Sequence, residues 1–181
     1  SGTGSLPDWL VTNPDDWGSL VGPGPEIQND IWTAQDGVQY IELDSHGGTD
    51  TNSDIYQVLT GLSVGANYNF SFYWAPRPNE TNAGSNGIDY GVDGIFTDSV
   101  SGAGNGVARG NDPGWQFVWT SFTATAASHT IRFAATGNDN TLGGFIDNVN
   151  VSLVPVPPAF GLGLVGIAGL ATYRRMTKKK A

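Results

Sequence analysis

The stretch NYNFSFYW, residues 67–74, decides the fold class. Tyr68, Phe70, Phe72 and Trp74 fall on one parity, and Asn67, Asn69 and Ser71 on the other. A period of two with aromatic rings on one side is the signature of a β-strand whose inner face packs into a core. Working outward, the alternation recurs in short runs. Residues 115–123 set Trp115, Phe117 and Trp119 on one side, which reads as the inner one, and residues 129–136 set Ile131, Phe133 and Ala135 against Thr130, Arg132 and Thr136. Residues 38–43, 55–59, 88–92 and 145–151 fill out a list of about seven or eight strands. Clusters of Gly, Asn, Asp, Ser and Thr separate them, and no capped 3.6-residue period interrupts residues 1–158. Short strands in that number close as an all-β sandwich of jelly-roll type. The segments 47–53, 76–86, 99–113 and 137–144 read as loops longer than hairpins need, the kind of loop that often carries binding groups.

At 181 residues the chain is long enough for one domain with an appendage. Its 17 acids all lie in residues 1–158, where Arg77, Arg109 and Arg132 are the basic groups, a net of −14 for that body. So acidic a surface repels phosphate backbones, which excludes nucleic acid as a partner. Cysteine is absent, and with it disulfides, thiolate metal sites and a Cys nucleophile. The body has no Lys either, so Schiff-base chemistry is excluded there. Residues 1–6, SGTGSL, have neither a charged nor an apolar leader stretch, so the chain is expected to be either unexported or already relieved of its leader.

Composition changes abruptly at residue 154. Pro155, Pro157 and Pro158 stop strand pairing; residues 159–172 are uncharged and mostly apolar; Arg174, Arg175, Lys178, Lys179 and Lys180 follow. As a helix those 14 residues span about 21 Å, short of the ~30 Å hydrocarbon core, so the segment, taken to Tyr173, is a marginal membrane anchor. Its glycines, at positions 161, 163, 166 and 169, suit a helix in lipid better than one in water. The basic end is expected to stay cytoplasmic, placing the acidic domain across the membrane. A buried core helix with a solvated basic tail is the alternative.

The order of Pro cluster, Gly-rich apolar stretch and basic run resembles the PEP-CTERM sorting signal of Gram-negative bacteria, read by a membrane exosortase. The resemblance rests on Val154, Pro155, Val156, Pro157, Arg174 and Arg175, with Val156 where that family usually has Glu. It implies transient anchoring in the inner membrane through residues 159–173, an exosortase-type protease or transpeptidase as partner, and delivery to the cell surface or extracellular matrix. Residues 36–57, 67–78 and 131–151 resemble the galactose-binding-like jelly rolls often carried by such proteins. The division is then a sandwich at 31–153, a sorting segment with a C-terminal hydrophobic helix at 154–181, and an N-terminal arm or divergent first strands at 1–30. The Asn-Gly-x-Phe-Glu strand that usually opens these domains has no match in residues 1–14.

Asp147 shares parity with Phe145, Val149 and Val151, so a regular strand aims its carboxylate at the core. An unpaired buried carboxylate is too costly; a cation, a set of N–H donors or a bulge must answer it. The resemblance implies a structural Ca²⁺ near this strand, and Asp44, Asp50 and Asp54 offer further hard oxygen ligands, though without EF-hand spacing. Glycan binding needs an exposed aromatic plate beside planar hydrogen-bonding groups. Tyr73, on the outer parity near Arg77 and Asn79, is the first candidate, with Trp32 as a further plate. Trp74 and Trp119 read as core. His46 and His129 stand 83 positions apart, no hydrolase or phosphate-loop motif occurs, and the Glu42 and Asp44 pair is ordinary in an acidic domain. The expectation is a non-catalytic exported protein that binds extracellular polysaccharide. The alternative is a structural subunit that assembles with itself into filaments or a surface layer by β-strand addition at the place of the missing first strand.

Overall fold

The computed structural model describes residues 9–12, 24–29, 31–44 and 51–155. Ten strands lie in this part: β1 Leu10–Thr12, β2 Glu26–Gln28, β3 Tyr40–Glu42, β4 Asp54–Thr60, β5 Asn67–Ala75, β6 Ile88–Val92, β7 Ile95–Val100, β8 Gln116–Thr123, β9 Ser128–Ala135 and β10 Phe145–Leu153. They form two five-stranded antiparallel sheets, ordered β1-β4-β9-β6-β7 and β2-β3-β10-β5-β8. The chain is therefore an all-β sandwich, and no helix occurs among the described residues. The expected C-terminal helix lies outside them, as do Val156, Pro157, Arg174 and Arg175; Val154 still pairs its N–H with the Asn67 carbonyl at 2.9 Å.

All seven stretches read as strands from alternation become strands. Residues 95–100 were not among them. As an edge strand, β7 is exposed at its first five positions, so no alternation marks it in the sequence. It also takes Ser99 and Val100 out of the segment read as loop. Two short strands fall within residues 1–30: β1 pairs with β4 and β2 with β3. β1 and β2 are thus themselves edge strands, one in each sheet.

The main core lies between the sheets. Phe70, Phe72 and Trp74 of β5 meet Ile88 and Tyr90 of β6 and Ile131 and Phe133 of β9. Phe72 and Phe133 pack edge to face at 4.8 Å, the arrangement the ring quadrupoles favour. Burial of each such side chain contributes about 1.5–3 kcal/mol. A second cluster, Trp32, Tyr40, Ala75 and Phe145, sits on the outer face of the second sheet. Residues 31–39 and 101–115 cover it, tied together by Gly110 N–H to the Ile31 carbonyl at 2.8 Å and the Trp115 indole to the Thr33 carbonyl at 2.9 Å.

Between Asp147 and Asn150 the register of β10 against β5 shifts by one residue. Upstream, Ile146 faces inward opposite Trp74 while Asp147 lies outward opposite Tyr73; downstream, Val151 faces inward opposite Phe70 while Asn150 and Ser152 lie outward opposite Ser71 and Asn69. The extra residue is a β-bulge, and it removes Asp147 from the side it would have shared with Val149 and Val151. The Asp147 carboxylate accepts N–H groups from Gln35 at 2.8 Å, Asp36 at 3.1 Å and Asn148 at 2.7 Å. Bulge and N–H donors thus both answer the carboxylate.

Asn148 holds the bulge with φ 49°, a left-handed conformation that Asn tolerates and β-branched residues do not. Asn148→Val should lower the unfolding free energy in urea by about 1–3 kcal/mol. Asn148→Gly keeps the φ and loses only the side-chain bond to Gln35 Oε1 at 2.8 Å, so its loss should stay within about 1 kcal/mol. Equal losses in the two variants would contradict the bulge.

Candidate functional site

Below the loop-covered cluster, the outer face of the second sheet is open. Three rows cross β10, β5 and β8 there: Asp147, Tyr73 and Phe117; Asn150, Ser71 and Trp119; Ser152, Asn69 and Ser121. Phe117 is 59% exposed and Trp119 62%, far more than aromatic side chains ordinarily leave in water. With Asn69, Ser71 and Ser152 they line a shallow groove of about 360 Å³. Tyr73 packs its ring on Phe117 at 5.3 Å, which steadies that plate. The arrangement offers flat apolar rings beside a floor of hydroxyls and amides.

This corrects the reading of Trp119 as a core residue. On β8 the inward positions are Val118, Thr120 and Phe122, opposite Phe72, Phe70 and Tyr68, so the Trp115, Phe117 and Trp119 parity faces outward. Trp115 is partly covered as a wall of the second cluster; Phe117 and Trp119 are left open. Trp74 is core as expected, its indole donating to the Asn86 carbonyl at 3.2 Å.

Of the glycan-binding candidates, Tyr73 alone reaches this face. Arg77 is 3% exposed: its Nη1 pairs with Glu42 Oε1, and its guanidinium lies 5.6 Å from the centre of the Trp32 ring, itself buried. Both are internal parts of the loop-covered end. Asn79 is exposed on the 76–86 loop and accepts from Arg77 Nε at 3.0 Å.

The three described metal candidates, Asp44, Asp54 and Asp147, each have different partners. Asp54 is buried against Arg132, whose Nε reaches its two oxygens at 2.9 and 2.7 Å. Asp147 is held by the N–H groups above, and burial pushes its carboxyl up against their opposing pull. Asp44 is buried elsewhere, accepting N–H groups from Asn140, Thr141 and Leu142 at 3.1–3.3 Å. The Thr51 hydroxyl lies against both Asp44 and Asp139, a residue the sequence reading did not single out. Asp50 and His46 lie outside the described residues. Among the described residues no group of three or more His, Cys, Asp or Glu is placed to hold a metal ion.

His129 is the histidine among the described residues. His129 is buried, its Nε2 accepting the N–H groups of Thr125 and Ala126 at 3.0 and 3.1 Å while Nδ1 faces Asp93 Oδ2 at 2.5 Å. It ties the β8–β9 turn to the β6–β7 turn.

No family model matches the chain. Over 113 residues, 62% of the chain, it is 32% identical to a multifunctional-autoprocessing repeats-in-toxin protein of Vibrio vulnificus. The matched segment is 2% of that protein, so the chain spans a very small part of the curated relatives it matches. Among solved structures it is similar to a family 35 carbohydrate binding module from Clostridium thermocellum, with TM-score 0.52 and 16% identity over 80% of this chain and 91% of that one. It is similar also to the K1 cleaved adhesin domain of Lys-gingipain from Porphyromonas gingivalis, with TM-score 0.55 and 16% identity over 84% and 95%. At these identities the shared property is the jelly-roll fold.

Glu42, fully buried, supplies a pH test. Burial pushes its carboxyl from the usual 4.5 up to about 7, against the pull of the Arg77 guanidinium and the Gly143 N–H. The native state therefore keeps a proton that the unfolded chain releases across that window. Stability from this group is full below the unfolded value and falls as pH rises toward 7. Glu42→Gln should flatten the decline in melting temperature between those pH values. An unchanged slope would contradict the assignment.

Proposed function

We propose that the domain is a non-catalytic module that binds a glycan on the open face of the second sheet. The observation that carries this reading is the pair of exposed rings, Phe117 and Trp119, beside Asn69, Ser71, Asn150 and Ser152. Sugar rings present apolar C–H faces and hydroxyl rims, and this surface offers a partner to each. The fold shared with a structure described as a carbohydrate binding module and with an adhesin domain supports the same reading. Tyr73 acts here through Phe117 as a support, and the buried Arg77 and Trp32 shape the neighbouring loops.

The domain acts outside the cytoplasm, on the surface or in the matrix of a Gram-negative cell. Residues 154–181 are its exosortase-type address, a proposal supported by the order of prolines, apolar stretch and basic run in the sequence. Intact mass of the protein recovered from the cell surface should show loss of the chain beyond about Val156; recovery with Arg174 and Arg175 still attached would remove this element.

Trp119→Ala is the direct test of the site. Because the ring is exposed, the variant should fold with an unchanged melting temperature, and its retention in polysaccharide-containing gels should drop at least tenfold, about 1.4 kcal/mol or more. Retention equal to that of the unsubstituted protein would sink the reading.

A further inference from the structure

Resting on the glycan reading of this face, we propose that its ligand is an uncharged polysaccharide chain, held along β8 over two successive sugar units, and that polyanionic polysaccharides are excluded.

Charge is the first argument. The described residues contain three Lys or Arg side chains, Arg77, Arg109 and Arg132. Arg77 is spent inside the loop-covered end. Arg132 is 7% exposed, bound to Asp54 and 4.7 Å from the centre of the Phe96 ring. Arg109, exposed, belongs to the 101–115 loop rather than to the sheet face. No cationic side chain stands among the three rows of the open face, and the ionisable groups there are Asp147 and the Tyr73 phenol. A uronate or sulfate ester needs a cation or a cluster of N–H donors to offset its desolvation. The nearby N–H groups of Gln35, Asp36 and Asn148 are already taken by Asp147. A body of net −14 repels a polyanion before contact. An uncharged chain meets neither obstacle.

Shape is the second argument. Phe117 and Trp119 are two residues apart on one strand, so their Cα atoms stand about 7 Å apart along it, more than one sugar ring covers. No charged residue lines the groove beside them, and Asn69, Ser71 and Ser152 form the polar part of its lining. An extended chain sets consecutive rings on the two plates and turns its hydroxyls toward that polar lining.

The test uses the full chain in affinity gels holding a neutral glucan, a neutral galactomannan, polygalacturonate or alginate, at low salt and at about 0.5 M NaCl, where the Debye length is a few ångströms. The unsubstituted protein is compared with Trp119→Ala, Phe117→Ala and Arg109→Ala. Expected is retention by at least one neutral polymer, changed less than twofold by salt or by Arg109→Ala, weakened at least tenfold by Trp119→Ala and several-fold by Phe117→Ala, with no retention by either polyanion that Trp119→Ala or Phe117→Ala weakens, since any held by the basic run at residues 174–180 is indifferent to both rings. Retention by a polyanion that Trp119→Ala abolishes overturns the inference about charge and leaves the glycan site standing. Salt-sensitive retention that Arg109→Ala abolishes moves binding to the loops and overturns both. Failure of every polymer to retain the protein overturns the glycan reading itself.

Discussion

One extra residue in β10 governs the architecture around the site. Without the shift between Asp147 and Asn150, the carboxylate of Asp147 points between the sheets, where burying it without a partner is prohibitive. With it, the upstream half of β10 puts Phe145 on the outer face and Ile146 in the core. The downstream half puts Val149 and Val151 against the core and Asn150 and Ser152 outward. A single strand thereby serves two different environments on one side of the sheet.

The outer face is divided in consequence. Its upper part is apolar and therefore covered: Phe145, Tyr40 and Ala75 disappear beneath residues 31–39 and 101–115, with Trp32 and Trp115 closing the edges. Close backbone approaches hold those loops in place. A Cβ at Gly104 would stand 2.2 Å from the Arg77 carbonyl oxygen, and the N–H of Gly104 donates to the Glu80 carbonyl at 2.6 Å. The lower part is polar on β5 and β10, so nothing forces it to be covered, and the two rings on β8 remain in water. Two of the three arginines in the body are used internally, each against a carboxylate and an aromatic ring. The surface is left strongly anionic, which narrows what the open face can hold.

Much of this was legible in the sequence. Alternation located β3 to β6 and β8 to β10 because each has one face against a core, and Asp147 announced its own difficulty through its parity. Edge position hid β7, since a strand exposed on nearly every residue has no period to read. The same cause inverted Trp119: aromatic residues on a strand are ordinarily core, and the edge strand β8 carries its aromatic parity outward while Val118 and Phe122 do the packing. Arg77 and Trp32 looked like surface groups because the sequence does not show that residues 31–39 and 101–115 fold back over them. The polar floor of the site was the hardest to see, since Asn69 and Ser71 gain meaning only when the bulge brings Asn150 and Ser152 beside them.

The most direct measurement of the central claim is an ¹H–¹⁵N spectrum of the indole groups during titration with a neutral oligosaccharide. The indole N–H groups of Trp32, Trp74 and Trp115 donate internally, to the carbonyls of Val107, Asn86 and Thr33. The account predicts that the Trp119 resonance moves and saturates while those three stay fixed, with the Asn69 and Asn150 side-chain amides moving alongside it. Saturable shifts confined to the loop asparagines, Asn79, Asn105 and Asn111, with Trp119 unmoved, would contradict it.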